Sequence, residues 1–164
     1  MITVPLDKNK HDRKWFDCGV DPLNNYLKMM AQQQATKDNT RTFVLEDQQQ
    51  SEIIIAYYTL TMSTLNLNSL AQKLQKKHQN AQAAGLIARL AVDKRYAKQG
   101  YGEWILIDAL HKLLAASDTV AFPLIIVDAK QGVGQFYKKM GFTPFLDEPN
   151  KFFMTLTDVR LSLG

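Results

Sequence analysis

The sequence predicts an α/β fold of the α+β kind, a mixed sheet with helices packed on its faces. Three observations predict it. Two early runs rich in β-branched and aromatic residues are joined by a short polar link. A strand-like run in the middle passes through two glycines into a helical pattern. A short, wholly apolar run near the C-terminal end is followed by a second helical stretch and a last strand-like run. With 164 residues and 46% hydrophobic content, the chain suits a single domain over 1–164 with its own core.

The elements follow in order. Asp21 before Pro22 is a helix-start signal, with the aspartate placed to cap open N–H groups and the proline pre-set at the first helical position. Leu23, Leu27, Met30 and Ala31 then share one face of a helix ending near Ala35. "RTFVLED" and "EIIIAYYTLTMS" read as adjacent antiparallel strands joined through "DQQQS". Residues 67–84 place Leu70 and Leu74 among polar residues, which predicts a short, weakly buried helix in a solvated excursion. A strand runs from about Leu86 to Val92, and after the glycines Ile105, Leu106, Ala109, Leu110 and Leu113 recur at helical spacing. "PLIIVDA" fits a strand buried on both faces. Residues 131–139 form a helix that ends at Gly141, and "KFFMTLT" is the last strand.

Bulk properties narrow the function classes. The net charge of +4 favours an anionic partner. One cysteine, Cys18, excludes an internal disulfide and a thiolate zinc site, and fits a reducing cytoplasm. The apolar runs fall short of the roughly 20 residues that cross a bilayer, so no membrane association is expected. His11, His78 and His111 lack metal-ligand spacing, no Ser-His-Asp motif is present, and Trp15 and Trp104 read as core residues.

The chemistry concentrates in "RYAKQGYGEWIL", residues 95–106. N–H groups at a helix start lack intrahelical partners and sit at the positive end of the dipole, so a glycine turn entering a helix can cradle phosphate. The nucleoside-triphosphate pattern G-x-x-x-x-G-K-[ST] is absent, and the dinucleotide pattern fails at Ile105.

"AKQGYG", residues 97–102, resembles instead the acyl-CoA pyrophosphate loop of the GNAT N-acetyltransferases, with Ala97 standing where that family has Gln or Arg. "GQFYKKMGF", residues 134–142, resembles the second signature of the family, one helix and one strand downstream. Phe16, Cys18, Gly19, Leu23, Asn24, Tyr26 and Leu27 are similar to the opening pattern of one subgroup, the acetyltransferase toxins of bacterial type II toxin–antitoxin modules.

The resemblance implies a mostly antiparallel sheet with helices on both faces and a splayed central strand. It implies acetyl-CoA as co-substrate and no metal, and a toxin that acetylates the amino group of aminoacyl-tRNA and blocks translation. A ribbon-helix-helix antitoxin and a homodimer are the implied partners. Cofactor binding falls to the main chain of Leu90, Ala91 and Val92 along the pantetheine arm. The N–H groups of Lys98, Gln99, Gly100, Tyr101, Gly102 and Glu103 would face the pyrophosphate, with charge from Lys94, Arg95 and Lys98 nearby. Tyr137 is the implied proton donor to the departing thiolate, since a tyrosine of pKa about 10 is protonated at neutral pH.

No acidic residue is marked as a base among Glu103, Asp108 and Asp128. That suits an α-amine near pKa ~8 better than a lysine. Lys28, Lys37, Arg41, Lys138 and Lys139 are candidate phosphate contacts, with Arg41 taken as a substrate contact. Two alternatives stay open: an acetyltransferase of a small amine or protein amino group, and a catalytically weak acyl-CoA-binding module motivated by Ala97.

Overall fold

The computed structural model describes residues 1–129 and 132–164. Its seven strands are β1 (Thr3–Pro5), β2 (Arg41–Glu46), β3 (Ile54–Thr64), β4 (Ala83–Val92), β5 (Leu124–Asp128), β6 (Thr143–Pro144) and β7 (Lys151–Thr155). They form one mixed sheet in the order β1-β2-β3-β4-β5-β7-β6. The chain divides into two compact units, Met1–Thr61 with Ala88–Ala109, and Met62–Ile87 with Leu110–Gly164.

In the first unit, β1 and β2 pair antiparallel from Thr3 opposite Leu45 to Pro5 opposite Phe43. A proline-bearing strand of three residues at the sheet edge carries no periodic signal, so the sequence reading missed β1. The β2–β3 hairpin has the expected antiparallel pairing, with a slip at Leu45/Glu46 that sets Glu46 opposite Ile54. Thr42 and Thr59 face each other across it and bond through their hydroxyls at 3.0 Å, which satisfies two buried polar groups at once.

The first helix departs from expectation at both ends of its logic. Val20, not Asp21, is the N-cap, and Asp21 and Pro22 are the first two helical residues of α1 (Asp21–Asn25). A π-turn over Tyr26–Met30, closed by Ala31 N donating to the Tyr26 carbonyl, leads into α2 (Ala31–Thr36). The extra residue in that turn swings Met30 off the apolar face, leaving it exposed, while Tyr26, Leu27 and Ala31 stay buried. With Leu23 they pack on Phe16, Val44, Ile54, Tyr57 and Ala91.

In the second unit, β4 and β5 pair in parallel over Gly85–Ile87 opposite Ile125–Val127, the short ladder expected beside a splayed strand. β7 runs antiparallel to both β5 and β6. Residues 67–84 carry the short, weakly buried helix that the sequence predicts, with no buried residue between Ala71 and Ala83, but the segment is anchored at Leu70. α3 (Gln72–Lys77) is exposed on one side, but Leu65 and Leu70 are buried against Leu124, Ile126, Phe145 and Phe153. Leu70 is fully buried, whereas Leu74 on α3 is only partly covered. β4 also begins at Ala83, three residues before the expected Leu86.

"KFFMTLT" stops being a strand at Thr155, whose hydroxyl accepts from Asp158 N and caps a helix the sequence reading missed, α6 (Leu156–Leu163). The helix read at 131–139 is α5 (Gly134–Lys139), and its expected start at Gln131 lies outside the described residues. Gly141, at φ +97, makes the turn that ends it, a conformation few residues besides glycine adopt. α4 (Tyr101–Ser117) buries Ile105, Leu106, Ala109, Leu110 and Leu113 as the spacing predicted. Among the described residues, no helix is long and apolar enough to cross a membrane.

Candidate active site

The glycine loop starts from a clamp. At the end of β4 the Asp93 carboxylate, fully buried, accepts from Arg95 N at 2.8 Å, Arg95 Nε at 2.9 Å, Arg95 Nη2 at 3.0 Å and Asp17 N at 3.1 Å. Its own N–H donates to the Ile55 carbonyl at 2.8 Å. Burial works against the ionised carboxylate, but the Arg95 side chain and the N–H donors outweigh it, and the Asp93 pKa lies below the ordinary value.

Asp17 is the other jaw. Its carboxylate pairs with Lys94 Nζ at 2.9 Å and accepts from Gly19 N and Asn24 Nδ2, while Asn24 Oδ1 accepts from Cys18 N. The Lys94 ammonium, then the Gly19 N–H and the Asn24 amide, hold the Asp17 carboxyl well below the usual carboxylate range. The Phe-Asp-Cys-Gly segment therefore acts as a brace for the end of β4, and Lys94 and Arg95 are committed to carboxylates instead of standing open as anion contacts. Cys18 is a free thiol whose pKa is pushed up by burial.

Beyond the clamp, Lys94–Tyr96 make one 3₁₀ turn, and the Tyr96 hydroxyl donates to Asp47 Oδ2 at 2.8 Å, tying the loop to the β2–β3 turn. Lys98 and Gly100 both take positive φ, +60 and +83. A Cβ on Gly100 would meet nothing within 4 Å, so this glycine serves the backbone conformation and leaves open space above the loop. The first bond of the helix is Trp104 N to the Gly100 carbonyl at 3.1 Å. Among the described residues, the N–H groups of Lys98, Gly100, Tyr101, Gly102 and Glu103 have no hydrogen-bond partner, while Gln99 closes the turn through Ala97 and Lys98. That run of open donors at the start of a 17-residue helix fits an anionic pyrophosphate.

The other residues read from the sequence fall as follows. Ala91 is buried in the core with Phe16 and Tyr57, and Leu90 and Val92 are half-buried. Tyr137 lies on α5 with its ring 5.2 Å from Phe136, 5.7 Å from Phe142 and 6.2 Å from Phe152, centroid to centroid. Its hydroxyl has no hydrogen-bond partner among the described residues, and burial, then the nearby Asp128 charge, pushes its pKa up to about 12. Arg41 bonds to Asp38 and to the Ala35 carbonyl, closing the end of α2.

Asp108 accepts from the hydroxyls of Tyr58 and Thr3, both at 2.6 Å, which makes it an anchor of the sheet. Trp15 is 67% exposed, against the expectation of a core residue, because Phe16 beside it takes the buried position; Trp104 is half-buried. Among the described residues, no group of three or more His, Cys, Asp or Glu is placed to hold a metal ion.

The sequence reading missed Asp17 and Asp93. A signal for both was present: an aspartate two residues before the donor N–H, in Asp17-Cys-Gly19 and Asp93-Lys-Arg95, is an Asx turn that stops a strand or loop at a fixed point.

A strand that ends in a braced glycine loop, with open N–H groups leading into a helix, defines a protein class that binds a phosphate-bearing cofactor. The acetyltransferase (GNAT) domain model matches residues 38–144, and the chain belongs to that family. It is 24% identical to the probable toxin TacT of Sinorhizobium fredii, over 99% of this chain and 95% of that protein. It is 23% identical to a tRNA-acetylating toxin of Mycobacterium tuberculosis, over 91% of this chain and 89% of that one. Its fold is similar to the crystal structure of AtaTR bound with acetyl-CoA, with a TM-score of 0.84 and 25% identity, over 99% of this chain and 97% of that one.

Proposed function

We propose that this chain is an acetyl-CoA-dependent N-acetyltransferase acting as a toxin on the amino group of aminoacyl-tRNA in the cytoplasm. It works as a single domain over 1–164 and pairs as a homodimer. A ribbon-helix-helix antitoxin restrains it. The observation that carries the reading is the set of open N–H groups at the mouth of α4, joined by similarity over nearly the whole chain to tRNA-acetylating and acetyl-CoA-bound relatives.

Acetyl-CoA supplies the activated acetyl thioester. The N–H groups of Lys98, Gly100, Tyr101, Gly102 and Glu103 hold its pyrophosphate without help from a side chain at Ala97, so that departure from the family pattern leaves the donors intact. Leu90, Ala91 and Val92 pair through their main chain with the pantetheine arm, while the Ala91 side chain packs into the core and those of Leu90 and Val92 stay half-buried. The neutral α-amine of the acceptor forms the new C–N bond as the C–S bond breaks. Tyr137 passes its hydroxyl proton to the departing sulfur and regains one from the amine nitrogen, so no proton is lost or gained overall. A pKa pushed up to about 12 keeps that proton in place at neutral pH. A site without a dedicated carboxylate base among the described residues fits an acceptor α-amine, whose pKa near ~8 makes its proton far easier to lose than that of a lysine near about 10.4. Arg41 contacts the tRNA in this reading.

The test incubates the protein with acetyl-CoA and charged tRNA of many isoacceptors and follows mass. One added acetyl group on the aminoacyl moiety is expected. No modification of any isoacceptor, with turnover of polyamines or peptides in its place, overturns the tRNA assignment.

A further inference from the structure

We propose that Trp15, with Arg13, Lys14 and Lys28, forms a docking platform for a single-stranded RNA segment, the unpaired acceptor end of the substrate; this rests on the tRNA reading above. A cleft of about 430 Å³ is lined by His11, Asp12, Arg13, Lys14 and Lys28. A second, of about 190 Å³, is lined by Asp12, Trp15, Gln50, Glu52, Ile53 and Arg95. Asp12 borders both clefts, so the indole sits beside the basic one, and Arg95 brings the second next to the start of the glycine loop.

The charges here differ from the others nearby. Lys10, Lys94 and Arg95 are each neutralised by a carboxylate, to Glu46, Asp17 and Asp93 in turn. Arg13, Lys14 and Lys28 carry no ion pair among the described residues. His11 adds no open group, because Nδ1 accepts from Asp7 N and Nε2 bonds Glu46. Asp12 is the one acidic residue lining the basic cleft, and its Oδ1 is taken up by Lys14 N.

The indole is the second half of the argument. Trp15 is 67% exposed, with Lys14 Nζ 5.3 Å from the ring centroid. Folding gains little from an indole left in water, whereas a nucleobase has a π-face to stack on it and a phosphate beside that base meets Lys14. An acidic peptide would answer the cations and leave the ring unused. Single-stranded RNA answers both.

Two measurements test this. In a Trp104→Phe background, Trp15 fluorescence is titrated with a short single-stranded oligoribonucleotide and, separately, with a polyglutamate peptide. RNA is expected to quench it, and the triple variant Arg13→Gln, Lys14→Gln, Lys28→Gln is expected to lower the slope of log K against log salt by roughly 2, for three phosphate contacts on a single strand. Steady-state kinetics with aminoacyl-tRNA should show KM raised roughly 5- to 100-fold in Trp15→Ala, as for loss of one stacked base, with kcat and acetyl-CoA affinity unchanged and partial rescue by Trp15→Phe.

Equal quenching by the peptide, or an unchanged KM and salt slope in enzyme that acetylates tRNA, overturns the platform and leaves the tRNA reading standing. Quenching by RNA in a protein that acetylates no aminoacyl-tRNA has the reverse meaning.

Discussion

Replacing Asp93 with alanine removes one fully buried carboxylate and strands the four donors that point at it. The Arg95 guanidinium is 49% exposed and regains water, so its two bonds count for little. The loss falls on the main-chain N–H groups of Asp17 and Arg95, each bonded to a charged acceptor worth 1.5–3 kcal/mol, and a destabilisation of about 3 kcal/mol follows after discounting. Asn, which keeps the size and one acceptor, should lie between wild type and alanine. Equilibrium urea unfolding reads this as a lower midpoint with an unchanged slope. Because the same bonds fix where the glycine loop begins, calorimetric acetyl-CoA affinity should fall roughly tenfold in either variant, a change of about 1.4 kcal/mol. A stable Asp93→Ala protein, within about 0.5 kcal/mol of wild type and binding acetyl-CoA equally well, would refute the clamp.

Three further outcomes follow from the same structure. Tyr137→Phe should keep stability and acetyl-CoA affinity, since the hydroxyl has no partner among the described residues, yet lose turnover by roughly 100-fold or more in single-turnover assays; full activity removes Tyr137 as the acid. Leu70→Ala, at a fully buried site, should cost about 2–5 kcal/mol by urea unfolding, whereas Leu161→Ala, at a 77% exposed site, should stay within about 0.5 kcal/mol; comparable effects would refute Leu70 as the anchor of its segment. Asp17, Asp93 and Glu46 all have depressed pKa values, so the stability they contribute is present above the unfolded carboxylate value near about 4 and is lost as pH falls through the folded values. The urea midpoint should be flat between about pH 7 and 5 and fall below about pH 4, and a midpoint that holds steady on acidification counts against these pairs.

What the sequence disclosed depended on whether the signal was periodic or pairwise. The β2–β3 hairpin, β5 and α4 were legible because their apolar spacing repeats over several residues. β1, β6 and α6 were not, since strands of three and two residues have no period and α6 hides behind a strand that its own cap, Thr155, cuts short. The glycine loop was legible as a motif, because its two glycines stand one residue apart just before a helical pattern, and the structure has a tight loop there that enters α4. The brace beneath it was not, because Asp17 and Asp93 are 76 residues apart and nothing in either local context names the other. Trp15 was misread for the opposite reason: an aromatic residue beside Phe16 looks like core until the backbone decides which of the two faces inward.

That separation of 76 residues has a temporal meaning. During synthesis the N-terminal segment leaves the ribosome long before residue 93 exists, so the brace closes only after most of the chain has been made. Until then the loop has no fixed starting point, and closing so long a span is a slow, non-local step. The loop that enters α4 is therefore unbraced for most of the chain's translation and takes its fixed starting point only near the end of synthesis.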